Sequence, residues 1–364
     1  MRRVCCFSEK WESGGIEAFL CGVLTHMDRS GLEIDIVTVR QKDSLFTAPL
    51  KEAGITVTEL SGSLRSMKNA ALFRSLLQKR QYDVIHFNLF QGLSLQYVQI
   101  AKDMGVPVRI VHSHGAGLRK SPTKPVKLLL HRLGRALWAG AATKFWTCSE
   151  PAARFLFGNN AAQIIPNGIE VDAFRFSAEA RSQVRNELGL ADETVVGTVS
   201  RLSGEKNQSF LLDVFALFHK VCPNSRLLLV GDGEERSALK EKAARLGIAE
   251  YTVFYGSTPN VSAMLSAMDI FVLPSLTEGL GIAAVEAQVS GLPVLVSHGV
   301  PAAAHLTPHL TALSLQSGAQ KWADALAALT EMPRQDGADA VRDAGFDILD
   351  TARLVRGAYG EAAL

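Results

Sequence analysis

A chain of 364 residues is long enough for two cores, so two domains are the starting expectation. The composition is that of an ordinary soluble globular protein, and a net charge of +2 points to no particular partner. The five cysteines (Cys5, Cys6, Cys21, Cys148 and Cys222) make no C-x-x-C pair and are odd in number. They read as small buried hydrophobes in a reducing compartment rather than as a disulfide framework. The first apolar run stops at Phe7, too soon for a signal peptide, and no apolar stretch reaches the ~18 residues of a membrane span. The expectation is a cytoplasmic protein that at most rests on the inner face of a membrane.

In chain order, the first half predicts strands at 3–7, 33–39, 56–60, 84–87, 108–111, 144–147 and 163–165. Helical patterns lie between them, for example at 16–27, 65–79 and 93–104. Strands alternating with helices predict a parallel sheet covered on both faces. Gly14 and Gly15 follow the first strand and open the first helix, where a backbone can approach a ligand closely. They do not form G-x-G-x-x-G, and no acid is placed to fix a NAD ribose. His112 and His114 stand at the end of the fifth strand, and alternation puts both on one face. Either could hold a transferred sugar or orient an acceptor; a plain packing role for each stays open. His86 reads as structural. Lys10, Asn88 and Asn167 are further lining candidates. From Met104 to Ser149 there is no Asp or Glu, while Arg109, Arg119, Lys120, Lys124, Lys127, Arg132, Arg135 and Lys144 fall there. That asymmetry predicts either a solvated helix face or contact with anionic lipid or a phosphorylated acceptor.

The pattern restarts after Pro166-Asn167-Gly168. Strands are predicted at 194–199, 226–230, 251–255, 270–273 and 294–297, and helices at 208–221, 234–246, 261–267 and 281–289. A last amphipathic stretch covers 348–362. Open parallel sheets bind ligands beyond the carboxyl ends of their strands, so two such domains facing a central cleft suit a two-substrate reaction. Two motifs stand at such ends. Arg201 and Lys206 follow the 194–199 strand and could neutralise a leaving diphosphate in place of a metal. The chain has no Asp-x-Asp pair and no zinc spacing, so no metal is expected. Glu278 and Glu286 follow the 270–273 strand across a Gly-containing turn into a helix, whose N–H groups suit a phosphate. Helical rise puts the two glutamates roughly 12 Å apart, about the span of a nucleoside diphosphate with its sugar. Asp232 reads as a helix cap. Gly256 ends another strand, at the rim of a base pocket.

Taken together, these residues resemble a retaining glycosyltransferase of the GT-B fold, from the large family 4 of sugar-nucleotide transferases. The marks are the Glu278–Glu286 spacing, Arg201 with Lys206, Pro166-Asn167-Gly168-Ile169-Glu170, Gly14-Gly15, Asp83-Val84-Ile85-His86 and Phe346-Asp347-Ile348. Val111-His112-Ser113-His114 and Gln320-Lys321-Trp322-Ala323 resemble the subgroup that builds bacterial capsular and exopolysaccharides. Gly115 departs from that subgroup's usual asparagine, and Val300-Pro301-Ala302-Ala303-Ala304 lacks the charged residue expected after the proline. The resemblance implies an acceptor-side Rossmann-like domain over 1–167, a nucleotide-sugar domain over 168–345 and a helix over 346–364 crossing back to the first domain. It implies that Glu278 meets the donor sugar and Glu286 the ribose. Arg201 and Lys206 hold the diphosphate, with backbone groups near Gly15, Leu280, Gly281 and Ile282. It leaves open which of His112 and His114 is the key histidine. The implied reaction is metal-free transfer of a hexosyl or N-acetylhexosaminyl group from a nucleotide sugar, UDP favoured, to a glycan or polyprenyl-diphosphate-linked acceptor. Contact with anionic membrane is expected through Arg119–Arg135. The alternatives are a UDP-sugar epimerase of the same fold and a non-catalytic sugar-nucleotide-binding subunit; a nicotinamide-dependent dehydrogenase lacks the glycine fingerprint.

Overall fold

The computed structural model describes residues 1–64, 66–115, 117 and 124–360. The chain divides into two compact units. Met1–Ile169 with the C-terminal stretch from Gly345 form the first, and Glu170–Ala344 the second.

The first unit runs β1 (Arg2–Trp11), α1 (Gly15–His26), β2 (Leu32–Gln41), α2 (Thr47–Glu52), β3 (Thr56–Glu59), α3 (Asn69–Arg80), β4 (Val84–Leu89), α4 (Gln96–Asp103), β5 (Val108–Ser113), α5 (Lys124–Trp138), β6 (Lys144–Thr147), α6 (Glu150–Phe157) and β7 (Gln163–Ile164). All strand pairs are parallel in the order β3-β2-β1-β4-β5-β6-β7, so the winding reverses between β1 and β4. Period-2 alternation divides the core. Val4 and Cys6 of β1 point to the face packed by α1, whereas Cys5 and Phe7 point to the face holding Phe73, Phe87 and Tyr97. Cys5, Cys6, Cys21 and Cys148 are free and buried, and Cys222 is free and partly buried.

The second unit runs α7 (Ala178–Glu187), β8 (Thr194–Val199), α8 (Gln208–Val221), β9 (Ser225–Val230), α9 (Arg236–Arg245), β10 (Thr252–Gly256), α10 (Val261–Ala267), β11 (Ile270–Leu273), α11 (Ile282–Val289), β12 (Val294–Ser297), β13 (Leu310–Leu313), α12 (Gly318–Leu329) and α13 (Ala338–Asp343). Its parallel order β10-β9-β8-β11-β12-β13 reverses between β8 and β11. The sixth strand, β13, escaped the sequence reading. Only four residues long and never fully buried, it lacks a strong apolar run. The chain then re-enters the first unit as α14 (Ile348–Gly360), which lays Ile348, Ala352, Val355, Ala358 and Tyr359 into the core beside α1.

Two expected helix details need correction. Helix α11 begins at Ile282, so Glu286 stands about one turn inside it. The ~12 Å span assumed helical rise from Glu278 onward, but residues 278–281 precede the helix. Asp232 does not cap α9, whose N-cap is Glu235 with no side-chain bond. It accepts the Gly233 N–H at 2.8 Å and pairs with Arg236 at 3.3 Å.

Candidate active site

The second unit builds its site at the reversal point of the sheet. After β8 the backbone passes Arg201 and Lys206; after β11 it passes Glu278. The loops are locked together. The Leu276 N–H donates to Glu205 O at 2.7 Å, and Asn207, in the left-handed region at φ 58°, donates its amide to Pro274 O at 3.2 Å. Leu202 N–H donates to Asp232 O at 3.0 Å. Any side chain at Gly231 or Gly233 would run into the carbonyls of Ser200 or Leu202, so this crossing requires glycine.

On that frame the Lys206 ammonium grips Glu278 through both carboxylate oxygens, at 2.6 and 2.7 Å. The Ser275 hydroxyl donates to the same carboxylate at 2.6 Å. The Glu278 side chain is only 8% exposed, so its charge relies on these partners. Sequence reading gave Lys206 and Glu278 separate duties. The structure joins them across 72 positions and adds Ser275. Arg201 lies further out, half exposed and paired with Glu234 at 3.2 Å. Beyond Glu278, Gly281 takes φ 88° as the N-cap of α11, no side chain caps the helix, and in its first turn the Ala284 N–H already turns back to Gly281 O at 2.9 Å. Leu280 is buried and Ile282 half-buried. Val300 lies against Gly281, and Glu278 N–H donates to Gly299 O at 2.9 Å, so the loop with the unusual Pro301-Ala302-Ala303-Ala304 braces this turn. Glu286 is half-buried, and burial alone pushes its carboxyl up to about 8. At neutral pH it is mostly a protonated, neutral group able to donate as well as accept a hydrogen bond. Gly256 ends β10, two strands from β8 and so roughly 10 Å from the end of that strand, with its carbonyl accepting Gly231 N–H at 2.8 Å.

In the first unit, Gly14 is the N-cap of α1 and Gly15 its first residue, with open space around Gly15. Glu17, in the first turn, turns back to accept the Glu12 N–H at 3.0 Å. The histidines differ in depth. His112 lies inside β5, fully buried, whereas His114 falls just past the strand end and is half-buried. His86, also fully buried, links its Nδ1 to the Tyr359 hydroxyl at 2.7 Å and its Nε2 to His112 Nδ1 at 3.2 Å. His112 Nε2 has no partner. Asn88 donates its amide N–H to His86 O at 3.2 Å, so its Oδ1 accepts from His114 Nε2 at 2.9 Å. That fixes the proton of a neutral His114 on Nε2 and leaves Nδ1 as an acceptor. Desolvation pushes His114 down to about 3. Desolvation and then His114 push His86 to about 3, and desolvation with both neighbours drives His112 well below the usual range. Phe19 meets the rings of His112 and His114 at 5.0 and 5.4 Å. Tyr359 was missed from sequence because it arrives from a helix 273 positions away.

Arg119 and Lys120 of the basic span lie outside the described residues. Among the described residues, no helix is long and apolar enough to cross a membrane. Nor do three His, Cys, Asp or Glu side chains gather there as a metal ion would need.

Two doubly wound parallel sheets, each reversing its winding at an inner strand, are the architecture of a GT-B glycosyltransferase. Residues 14–168 match the family model described as Glycosyl transferase 4-like domain, and residues 180–344 match Glycosyl transferases group 1. The protein is a glycosyltransferase built from these two domains. EpsF of Bacillus subtilis strain 168, a glycosyltransferase by name, is 28% identical over 330 residues, covering 86% of this chain and 84% of EpsF. The Escherichia coli UDP-Gal:alpha-D-GlcNAc-diphosphoundecaprenol alpha-1,3-galactosyltransferase is 29% identical over 65% of this chain and 62% of its own length. Among solved structures, Anabaena HepE in complex with UDP and glucose superposes with TM-score 0.80 at 21% identity, covering 98% of this chain and 99% of HepE. That last likeness speaks to fold.

Proposed function

We propose that this glycosyltransferase moves a sugar from a UDP-sugar to an acceptor hydroxyl with retention of anomeric configuration and without metal, in the assembly of a bacterial polysaccharide such as a capsule or exopolysaccharide. The observation that carries the reading is the Lys206–Glu278–Ser275 cluster beside the open N-terminus of α11, at the reversal point of the second sheet. There a diphosphate meets an ammonium, the Arg201 guanidinium and first-turn N–H groups together. Glu278 contacts the sugar while holding Lys206 in place, and the neutral Glu286 meets the ribose. His114 offers Nδ1 to a sugar hydroxyl, and the backbones of Gly14, Gly15, Leu280, Gly281 and Ile282 border the donor. The bond from the anomeric carbon to the phosphate oxygen breaks and one to the acceptor oxygen forms. The acceptor's proton passes to the departing phosphate oxygen. A histidine that protonates only near pH 3 is a weak base at pH 7, which favours that route over a protein base.

UDP is favoured because the E. coli relative is named for UDP-Gal and the HepE crystals hold UDP. An acceptor on a polyprenyl diphosphate is favoured by the same relative's name, and by the acid-free helix α5 for work at the cytoplasmic membrane face. The test is a donor panel in the presence of EDTA: thermal stabilisation by UDP-, GDP- and ADP-sugars, then slow hydrolysis of whichever binds, with the anomer of the released sugar followed by NMR. Stabilisation by a UDP-sugar and a retained anomer are expected. Stabilisation that requires a divalent cation, or conversion of the UDP-sugar into its epimer with no acceptor present, would refute the proposal.

A further inference from the structure

The carboxyl edge of the first sheet carries an aromatic ring that the core does not account for. Ser8, Asn88 and His112 pair side by side on β1, β4 and β5. Two residues further along come Lys10, Phe90 and His114, which therefore share one rim. The His114 N–H donates to Leu89 O at 3.3 Å, and its Nε2 bonds Asn88 Oδ1 at 2.9 Å, so the ends of β4 and β5 are held together there. Phe87 and Leu89 are fully buried, yet Phe90 is 49% exposed. Its ring is not loose. It lies on the backbone of Gly115, where an added methyl would stand 2.8 Å from Cδ1. Carbon atoms rest at about 3.5–4.0 Å, so no side chain fits at 115 without displacing the ring. Glycine thus makes a berth for the ring and leaves about half of the residue open. Lys10, exposed, and Gln91, half-buried, bring polar groups to its border. A scattered exposed side chain needs no explanation; one berthed beside His114 at the edge where such sheets bind ligands does.

We propose that Phe90 is the platform on which a pyranose ring of the acceptor stacks, with Lys10 and Gln91 reaching its hydroxyls, so that the group receiving the transferred sugar is itself a sugar and not a bare lipid phosphate. The inference rests on the glycosyltransferase reading above, in which His114 meets the transferred sugar: a ring seated next to His114 then lies next to the reacting hydroxyl. A pyranose presents a face of C–H groups and an edge of hydroxyls. An aromatic surface with polar groups at its border matches both. A polyprenyl chain has no hydroxyls to offer and calls for a continuous apolar groove, not for one ring set among a lysine, a glutamine and a histidine.

The test is saturation-transfer-difference NMR on the full chain with UDP present, using the methyl glycosides of glucose, galactose and N-acetylglucosamine as probes. The native protein should saturate the ring C–H protons of at least one glycoside. Phe90→Ala should weaken that binding about tenfold and Phe90→Tyr should keep it, while both keep the rise in Tm that UDP gives the native chain. Gly115→Ala retains Phe90 but takes its berth, and should weaken the signal as Phe90→Ala does. Absence of saturation on every glycoside with the native protein would overturn the proposal, as would an undiminished signal from Phe90→Ala. Loss of the UDP-induced rise in Phe90→Ala would put the ring under the nucleotide and overturn it too. If UDP fails to raise the Tm of the native chain, the donor reading falls and takes this one with it. Normal stabilisation by UDP with a glycoside signal indifferent to Phe90 removes this inference alone.

Discussion

Replacing Lys206 with alanine separates two roles that the structure superimposes on one ammonium. Its bonds of 2.6 and 2.7 Å hold a Glu278 carboxylate that is 8% exposed, and without them Ser275 is the remaining side-chain partner. Breaking a fully buried pair costs about 3–5 kcal/mol. Lys206 is 26% exposed, so water softens the loss to roughly 1–3 kcal/mol, which lowers Tm by about 2–4 °C per kcal/mol in a unit of this size. If Lys206 also meets the departing diphosphate, losing it removes about 2.7–4 kcal/mol of transition-state stabilisation, or 10²–10³ in turnover. The double variant Lys206→Ala/Glu278→Gln tells these apart. Its neutral amide needs no counter-ion, so stability returns. Turnover should still lie about 100-fold below that of Glu278→Gln alone. The assay is UDP release at saturating donor, with urea unfolding run in parallel. If the double variant matches Glu278→Gln within threefold, Lys206 serves only to hold Glu278 and the diphosphate assignment is wrong.

The raised carboxyl of Glu286 makes stability depend on pH. The unfolded chain ionises near 4.5 while the folded group stays protonated, so stability should fall as pH rises from about 4.5 and level off above about 8; Glu286→Gln should remove that slope in urea titrations. The depressed histidines act oppositely. Their contribution is present above 6.5 and is lost as pH falls toward about 3, so acid unfolding should take up protons at His86 and His114, and the midpoint should fall steadily below pH 6.5. Tyr359→Phe strips His86 Nδ1 of its partner in a fully buried place and should cost about 1–3 kcal/mol of unfolding free energy, read by urea denaturation. Gly92→Ala drives a methyl into the His131 carbonyl and should detach α5, seen as new protease cleavage within 124–138.

What could be read from sequence were features fixed within a few residues. Arg201 and Lys206 directly after an apolar run, and Glu278 after another, place themselves at carboxyl ends because strand and turn are local. The union of Lys206 with Glu278 depends on which strands become neighbours at the reversal point, and no local pattern encodes that order. His112 and His114 were inseparable because alternation fixes a face and not a depth; the end of β5 at Ser113 supplies the missing coordinate. Helix α5 shows the opposite failure. Its charges were noticed, but its leucine spacing resembles a core-facing helix, and only the contact between Gly92 and Gly134 shows which side faces inward.

The return of the final helix sets a schedule for biosynthesis. Tyr359, Val355 and Ile348 complete a core begun by Val4 and Cys6, yet the whole of the second unit is translated between them. At 5–20 residues per second the nascent N-terminal unit waits roughly ten to thirty seconds with one apolar flank bare. Ribosomes that stall late, or stop codons a dozen residues early, would release chains whose second unit is finished and whose first is not. Such products should be ready clients for chaperones and proteases even though every proposed substrate-contacting residue is already present.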